Sequence, residues 1–581
     1  MAGNDASSAA LPYQEPSIAT LLNLSGFLLA LNLARVALDR LLSCGLIGQV
    51  LLGVLWGTPG ARWLDRNTES VIQQLGYLGL ILLVYEGGLS TAVRSIRANG
   101  LLSLAVALTG IGTPMGLSFV LKALTAASSR QAFAAGAALS ATSLGTTFTI
   151  LSTTGLVATR LGSVTTTAAV LDDVIGLVMV QIITNLGGEG SRIRVGTVLR
   201  PIGVSVAFVL GLFLLAAGCL RPVLARVLAI KDKVPSSLKT QQWAFLAQTL
   251  CLVGIVAGAS YAGASSLFAA YLAGLLVSWV DGCVAEDQQS QHGARTVSEA
   301  EPEEPGPSDR GRRTPENPSS IGDEETPTGE RVYEQYYREP VNRILLPLFF
   351  ASIGFSIPVT EMFQWEVVWR GIVYALLMAL GKMITGLWLV RLSLGPGLKV
   401  VGTLTRPFAL VRLRCMSKAT DCGKQEEPPK SSESQHAAPD AATGSSASTT
   451  GITETTTNGE ASRRTLGREE PKNESPQPST ATPTLSLPPK PQTLYPPCIL
   501  GLAMVARGEV GYLIASLAQS QGLFARDESG DTSHVYLIII WAISLCTLVG
   551  PVAVGTLVRR VRTLQQARAD SGVDPLGAWG I

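Results

Sequence analysis

The sequence predicts an all-α polytopic membrane protein of about 13 transmembrane helices, each an apolar stretch long enough to cross a lipid core. Two observations carry that reading. The 581 residues are 47% hydrophobic and only 15% charged, too apolar for a soluble chain of this length. The apolar residues are also bunched into windows of roughly 20, and a window of that length spans a hydrocarbon core of about 30 Å as a helix. A third observation gives the class its interest: several ionisable side chains stand near the centres of these windows instead of at their ends.

In chain order the windows are 18–37, 41–57, 71–90, 100–124, 131–154, 162–186, 197–220, 241–259, 261–281, 342–359, 368–394, 496–520 and 535–558. Each must be helical, because a lone apolar segment in lipid has to satisfy its own backbone hydrogen bonds. Basic residues sort the connecting loops. Arg35, Arg40, Arg94, Arg97, Arg160, Arg221, Arg226, Lys231, Lys233, Lys239, Arg559, Arg560 and Arg562 collect on one side, which the positive-inside rule makes cytoplasmic. Residues 1–17 then form an external tail and 561–581 a cytoplasmic one. Arg192, Arg194 and Arg200 run against the rule. Two polar stretches, 282–338 and 401–494, break the pattern on the cytoplasmic side. The first is rich in Glu, Pro, Ser and Gln, the second (from about 415) in Ser, Thr, Pro and Lys, and neither has the large apolar residues needed to offset chain entropy. They read as disordered linkers open to cytoplasmic regulators. A net charge of +2 without a basic block excludes nucleic acid as a partner, and no cysteine or histidine spacing suggests a metal cofactor.

The central charges come next. In AAVLDDVIGLVMVQ, Asp172 and Asp173 sit mid-window, and Lys382 in LLMALGKMITGLWLV sits mid-window as well. Each charge costs about 2.5–3.5 kcal/mol alone at such a depth, even on a lenient scale. Together they cost far less, so Lys382 is expected to meet the pair at the midplane. A static salt bridge would be the plainer outcome, but one lysine matches only one carboxylate. The second carboxylate then needs a proton or a metal cation. Adjacent helical residues point about 100° apart, so the two aspartates can face different partners.

Glu86, in LLVYEGGLST, lies near the cytoplasmic end of its window and reads first as an interfacial carboxylate. Arg507 and Glu509, in MVARGEVGYLIA, are too close in sequence to face each other on a regular helix. Either each has a partner elsewhere or the backbone breaks at Gly508. SATSLGTTFTILSTTG, with Thr142, Ser143, Thr146 and Thr147, is either a close-packing surface of small residues or an unwound stretch whose oxygens line an ion site. If the spans form two six-helix units around a linking seventh, this segment and RGEVG are fifth in their respective units. Paired interrupted helices at matching positions mark a midplane substrate site.

The motifs SATSLGTTFTIL, TTTAAVLDDVIGLV, SLFAAYLAGLLV, EPVNRILLPLFFASIGFSI, the lysine of ALGKMITG, and ARGEVGYLIA resemble, in family order, those of monovalent cation/proton antiporters of the cation:proton antiporter-2 (Kef/Nap-type sodium/hydrogen exchanger) group. That resemblance implies two inverted repeats with two discontinuous crossing helices, a dimerisation domain giving a homodimer, and a core domain moving as an elevator. It implies that Asp173 carries Na⁺ (or K⁺, Li⁺) and H⁺ in turn, that Asp172 pairs with Lys382, and that Thr146 and Thr147 neighbour the ion with Thr142 and Ser143. Arg507 and Glu509 match the family's second broken helix, and an Asp-Asp pair with a lysine resembles the electrogenic members. The family's FxxGLE-like stretch reads VYEGGL here, which leaves Glu86 without an assigned role. The expected protein is a transporter in the plasma membrane or an endomembrane, not an enzyme, with no cofactor. A cation channel on the same fold and a sodium-coupled solute symporter are the alternatives.

Overall fold

The computed structural model describes residues 15–42, 44–91, 93–143, 145, 147, 151, 155–157, 159–186, 195–229, 241–298, 328–390, 493–524, 534–567, 576 and 579. Among these residues the secondary structure is entirely helical. The principal helices are α1 Ile18–Leu42, α2 Gly45–Trp56, α3 Arg66–Leu89, α4 Val93–Leu117, α5 Ser129–Ser140, α6 Arg160–Leu186, α7 Val195–Leu215, α8 Gln241–Ala262, α9 Ser266–Ser298, α10 Gly329–Tyr336, α11 Leu346–Gly354, α12 Trp365–Met383, α13 Tyr495–Ala503, α14 Glu509–Ser520 and α15 His534–Ala567. Among the described residues, nine helices are long and apolar enough to cross a membrane. The windows 41–57, 131–154, 342–359 and 496–520 instead fall on shorter or interrupted helices.

Local sequence explains where the helices begin. Asp65 caps α3 by accepting the Thr68 amide, and α5 opens with a full capping box in which Ser128 and Gln131 exchange side-chain and backbone bonds. Glycines decide how close the helices come. Gly88 of α3 and Gly274 of α9 sit at a crossing where an added methyl on either would strike the partner's main chain, and Gly53 of α2 and Gly354 of α11 do the same. In lipid no hydrophobic force pulls helices together, so such small-residue contacts and the dispersion they allow hold the bundle.

The helices pack as two sets. In the first, α3 lies against α9 and α11, α2 lies against α1 and α11, and α8 lies against α9. In the second, α4 packs on α5, α6 and α12, α14 on α5 and α6, and α15 on α12 and α13. Few contacts join the two sets, among them α6 with α9 and α11 with α14. The apolar windows of α6 and α15 are 56% and 61% buried inside the protein, those of α1, α7 and α8 only 11%. The second set is therefore centred on α6 and α15, while α1, α7 and α8 show their apolar sides outward.

The stretch 282–338, expected to be a disordered linker, is in part ordered helix. Residues 282–298 continue α9, and α10 buries Val332 and Tyr333. Average composition concealed a short amphipathic pattern there. Residues 299–327 and 401–492 lie outside the described residues, as do Arg192 and Arg194.

Candidate functional site

Two interrupted helices meet in the second set. α5 ends at Ser140, and Ala141 is extended, with φ −62° and ψ 138°. α13 ends at Ala503, residues 504–508 are irregular, and α14 restarts at Glu509. Each break leaves helix-end carbonyls without partners along their own helix. The other break supplies donors. Arg507, fully buried, donates through Nη1 to the carbonyl of Ala141 at 3.0 Å and of Ser140 at 3.4 Å. The hydroxyl of Thr147 donates to Ala503 O at 3.1 Å, and the Ser143 amide to Ala506 O at 3.0 Å. The guanidinium also sets a positive charge against the negative end of the α5 dipole. Unwound backbone inside a membrane is tolerable only with partners of this kind.

Beside the crossing, α12 brings Lys382 to α6. Its Nζ lies 2.5 Å from Asp172 Oδ2 and 2.8 Å from Thr142 Oγ1, with Lys382 and Asp172 both at 0% exposure. The Thr142 hydroxyl donates to the same carboxylate oxygen. Asp172 is thus held through Oδ2 by two groups from two other segments, while its Oδ1 has no partner among the described residues.

Asp173 turns elsewhere. It lines a cavity of about 940 Å³ together with Ser143, Thr167, Tyr271 and Glu509. The cavity lies between the two helix sets, since α1, α2, α3, α9 and α11 supply one wall and α6, Ser143 and α14 the other. Along α6 its lining repeats as Ser163, Thr166, Thr167, Val170, Asp173 and Leu177, the spacing of one helix face. Asp173 Oδ1 and Thr166 Oγ1 are both inaccessible and have no hydrogen-bond partner in the protein. Glu509 and Asp172 lie within electrostatic reach of Asp173, as does Lys382. Ser143 Oγ is 3.5 Å from Glu509 Oε2.

Of the residues singled out from sequence, Asp172, Lys382 and Thr142 come together, while Asp173, Ser143 and Glu509 share the cavity floor. Thr147 serves the backbone of α13 and does not line the cavity. Thr146 lies outside the described residues. Glu86 lines the cavity, half-buried, with Oε2 3.2 Å from the hydroxyl of Tyr333. Sequence reading missed Tyr271, Thr166 and Tyr333, none of which stands in a pattern that distinguishes it from a packing residue. It also missed that Glu509 stands beside Asp173, a neighbourhood that only the crossing creates.

Two broken helices crossing next to buried charges are an arrangement that many secondary transporters use for their substrate sites. Comparison with known proteins narrows the class. Residues 27–293 match the family model described as "Sodium/hydrogen exchanger, transmembrane". The chain is 30% identical over 172 residues to the high-affinity Na(+)/H(+) antiporter NhaS3 of Synechocystis sp., covering 29% of this chain and 37% of that protein. It is 32% identical over 152 residues to the Na(+)/H(+)-K(+) antiporter GerN of Bacillus cereus, covering 26% and 39%. To the cation/H(+) antiporter 17 of Arabidopsis thaliana it is 27% identical over 247 residues, covering 40% and 28%. In these matches the chain spans 39% or less of the relative's length. The sodium proton antiporter MjNhaP1 from Methanocaldococcus jannaschii superposes with a TM-score of 0.51 at 10% identity, over 94% of this chain and 99% of that one, a likeness of fold alone.

Proposed function

We propose that the protein is a monovalent cation/proton antiporter in which Na⁺ and H⁺ take turns on Asp173. The observation that carries this reading is the difference between two adjacent carboxylates: Asp172 is neutralised by Lys382, whereas Asp173, one of the residues lining the cavity, has no ion-pair partner among the described residues. A buried carboxylate needs a proton or a cation. An alkali cation would find oxygen ligands there in Asp173, Thr166, Ser143 and Glu509. A site that holds one occupant at a time and is reachable from one side at a time exchanges the two ions.

The same reading covers the wider design. Thirteen spans would form two inverted six-helix repeats around a linking seventh, with α5 and α14 carrying the paired interruptions. The first helix set would be the dimerisation scaffold and the second the elevator core, since the cavity runs along their boundary. Arg35 and Asp39 at its outer end fall on the side assigned as cytoplasmic, so this is an inward-facing arrangement. A second copy of the chain would sit against the scaffold in the bilayer. The Asp-Asp pair with a lysine supports the electrogenic stoichiometry, one cation for two protons, in which Asp173 would carry one proton and Lys382 the other, its pair with Asp172 opening when the cation binds. The printed substrates of the relatives, Na⁺ and in one case K⁺, support Na⁺ first and K⁺ second.

The test is transport by purified protein in proteoliposomes, with Na⁺, K⁺ and Li⁺ stepped separately at fixed membrane potential. Wild type moves protons against the cation step; Asp173→Asn abolishes that movement. Cation flux without proton movement in wild type would instead identify a channel.

A further inference from the structure

Part of the cavity wall, with Glu330, Tyr333, Glu334 and Arg338, is built by a segment that composition had assigned to a linker. α10 is held there at three points. Its first residue, Gly329, donates its amide to the Asp281 carboxylate of α9 at 2.7 Å. Tyr337, just past its end, has its hydroxyl 2.5 Å from Thr249 Oγ1 of α8. Between these, Tyr333 is 2% exposed, with its ring against Tyr85 and Tyr337 at centroid distances of 6.1 and 5.6 Å. Its hydroxyl lies 3.2 Å from Glu86 Oε2 and 3.3 Å from Leu82 O, so one phenolic proton is shared between a carboxylate and a main-chain carbonyl of α3.

The charged surroundings are mixed. Glu330, Glu334 and Arg338 line the cavity from the α10 side and Arg35 and Asp39 from α1. Glu334 and Arg338 form an ion pair, about half exposed at each partner, and Arg35 lies 3.8 Å from Asp39. Those pairs are screened and flexible. Glu86 is set deeper and tied by a rigid aromatic side chain with few rotamers. With one oxygen fixed by Tyr333, the other is what remains to meet a cation in the passage, and a charge-assisted hydrogen bond from a buried donor is the strong kind. The Tyr333–Glu86 contact thus links a helix that leads out of the polar insertion to the cavity that ends at Asp173.

We propose that Tyr333 is a positioning residue for cation entry, holding the Glu86 carboxylate on the passage so that an incoming cation is met there before it reaches Asp173. This rests on the antiport reading and deepens it. The experiment uses the full chain in proteoliposomes, comparing wild type, Tyr333→Phe, Glu86→Gln, the double variant, and, as a control on the same helix as Tyr333, Tyr336→Phe, whose ring lies 4.6 Å from that of Phe245. Tyr333→Phe keeps the ring and its packing and loses only the hydroxyl. Its apparent KM for Na⁺ should rise about tenfold, the size of a lost hydrogen bond to a charged group, while the maximal rate falls much less. Glu86→Gln should raise KM similarly, the double variant should be no worse than the worse single, and Tyr336→Phe should leave KM in place.

An unchanged KM in Tyr333→Phe, a loss confined to the maximal rate, or single effects that multiply in the double variant would each overturn the proposal while leaving antiport intact. A wild-type protein that moves no protons against any of the three cations would overturn the antiport reading, and this inference with it.

Discussion

Replacing Lys382 by Met tests whether the ion pair is an energetic unit distinct from the carboxylate beside it. Lys382 Nζ stands 2.5 Å from Asp172 Oδ2 and 2.8 Å from Thr142 Oγ1, and neither charged residue has any exposed surface. Removing one member of such a pair strands the other charge without solvent, at a cost of about 3–5 kcal/mol. Lys382→Met fills similar volume, so the loss is electrostatic and not a cavity. Asp172→Asn should cost about as much, because it leaves the ammonium facing only the Thr142 oxygen. The double variant removes both charges, and its loss should fall short of the summed singles by about 2 kcal/mol or more, the size of a direct coupling. Asp173→Asn should behave oppositely, costing little or stabilising, since Asp173 Oδ1 has no partner to lose and Glu509 and Asp172 both repel its charge. The assay is thermal melting of detergent-solubilised protein, with all five proteins in one buffer. Additive singles, or an Asp173→Asn loss as large as that of Asp172→Asn, would refute the division of labour between the two aspartates.

Two further predictions concern the backbone. At Gly508 an added Cβ would lie 2.5 Å from Ser143 Oγ and 2.6 Å from Ser143 Cβ, so Gly508→Ala should push the crossing segments apart and abolish exchange in proteoliposomes while helical content by circular dichroism is kept; wild-type exchange would show that the crossing tolerates the shift. At the start of α3, the hydroxyl and amide of Thr68 hold the Asp65 carboxyl below its ordinary value of 3.8. Because that value is lowered in the folded state, the cap's ionic contribution is complete above the ordinary value and disappears as pH falls through the lowered one. Asp65→Asn keeps a capping side chain without the charge, so any melting-temperature advantage of wild type at pH 7 should vanish toward pH 3; an advantage independent of pH would mean that the charge contributes nothing.

Much of this was legible in the chain itself, and the reason is the solvent. In lipid a helix needs its own twenty apolar residues, so the long spans announce themselves one at a time, without tertiary information. A charge at mid-window likewise demands a partner, which is why Lys382 could be matched to the aspartate doublet some 210 residues away, while the choice of Asp172 as its partner came only with the family resemblance. The breaks were half legible. Gly508 between Arg507 and Glu509 signalled that a regular helix would leave two charges stranded, but SATSLG reads equally as a close-packing surface. Only the donors that arrive from the other chain segment, Arg507 to Ala141 and Thr147 to Ala503, decide it. Illegible altogether were residues whose role depends on where a neighbouring helix ends: Glu509 beside Asp173, Tyr271 on the facing wall, and Tyr333 in a stretch whose composition is that of a linker.

The crossing and the ion pair also depend on each other. Thr142 is the second residue of the unwound segment, and its hydroxyl binds Asp172 while its oxygen receives Lys382. Were α5 to continue as a regular helix through 141–143, that side chain would be carried round the helix axis and the pair would lose a ligand. Conversely, the buried pair ties the break to α6 and α12, and Arg507 closes its carbonyls from α13 and α14. A carboxylate that must change its occupant needs rigid surroundings, because a floor that relaxed with each exchange would spend the difference in binding on its own rearrangement. Four segments locked by one lysine and one arginine supply that rigidity, and on the proposed antiport reading they leave Asp173 as the member of the doublet that takes a proton or a cation.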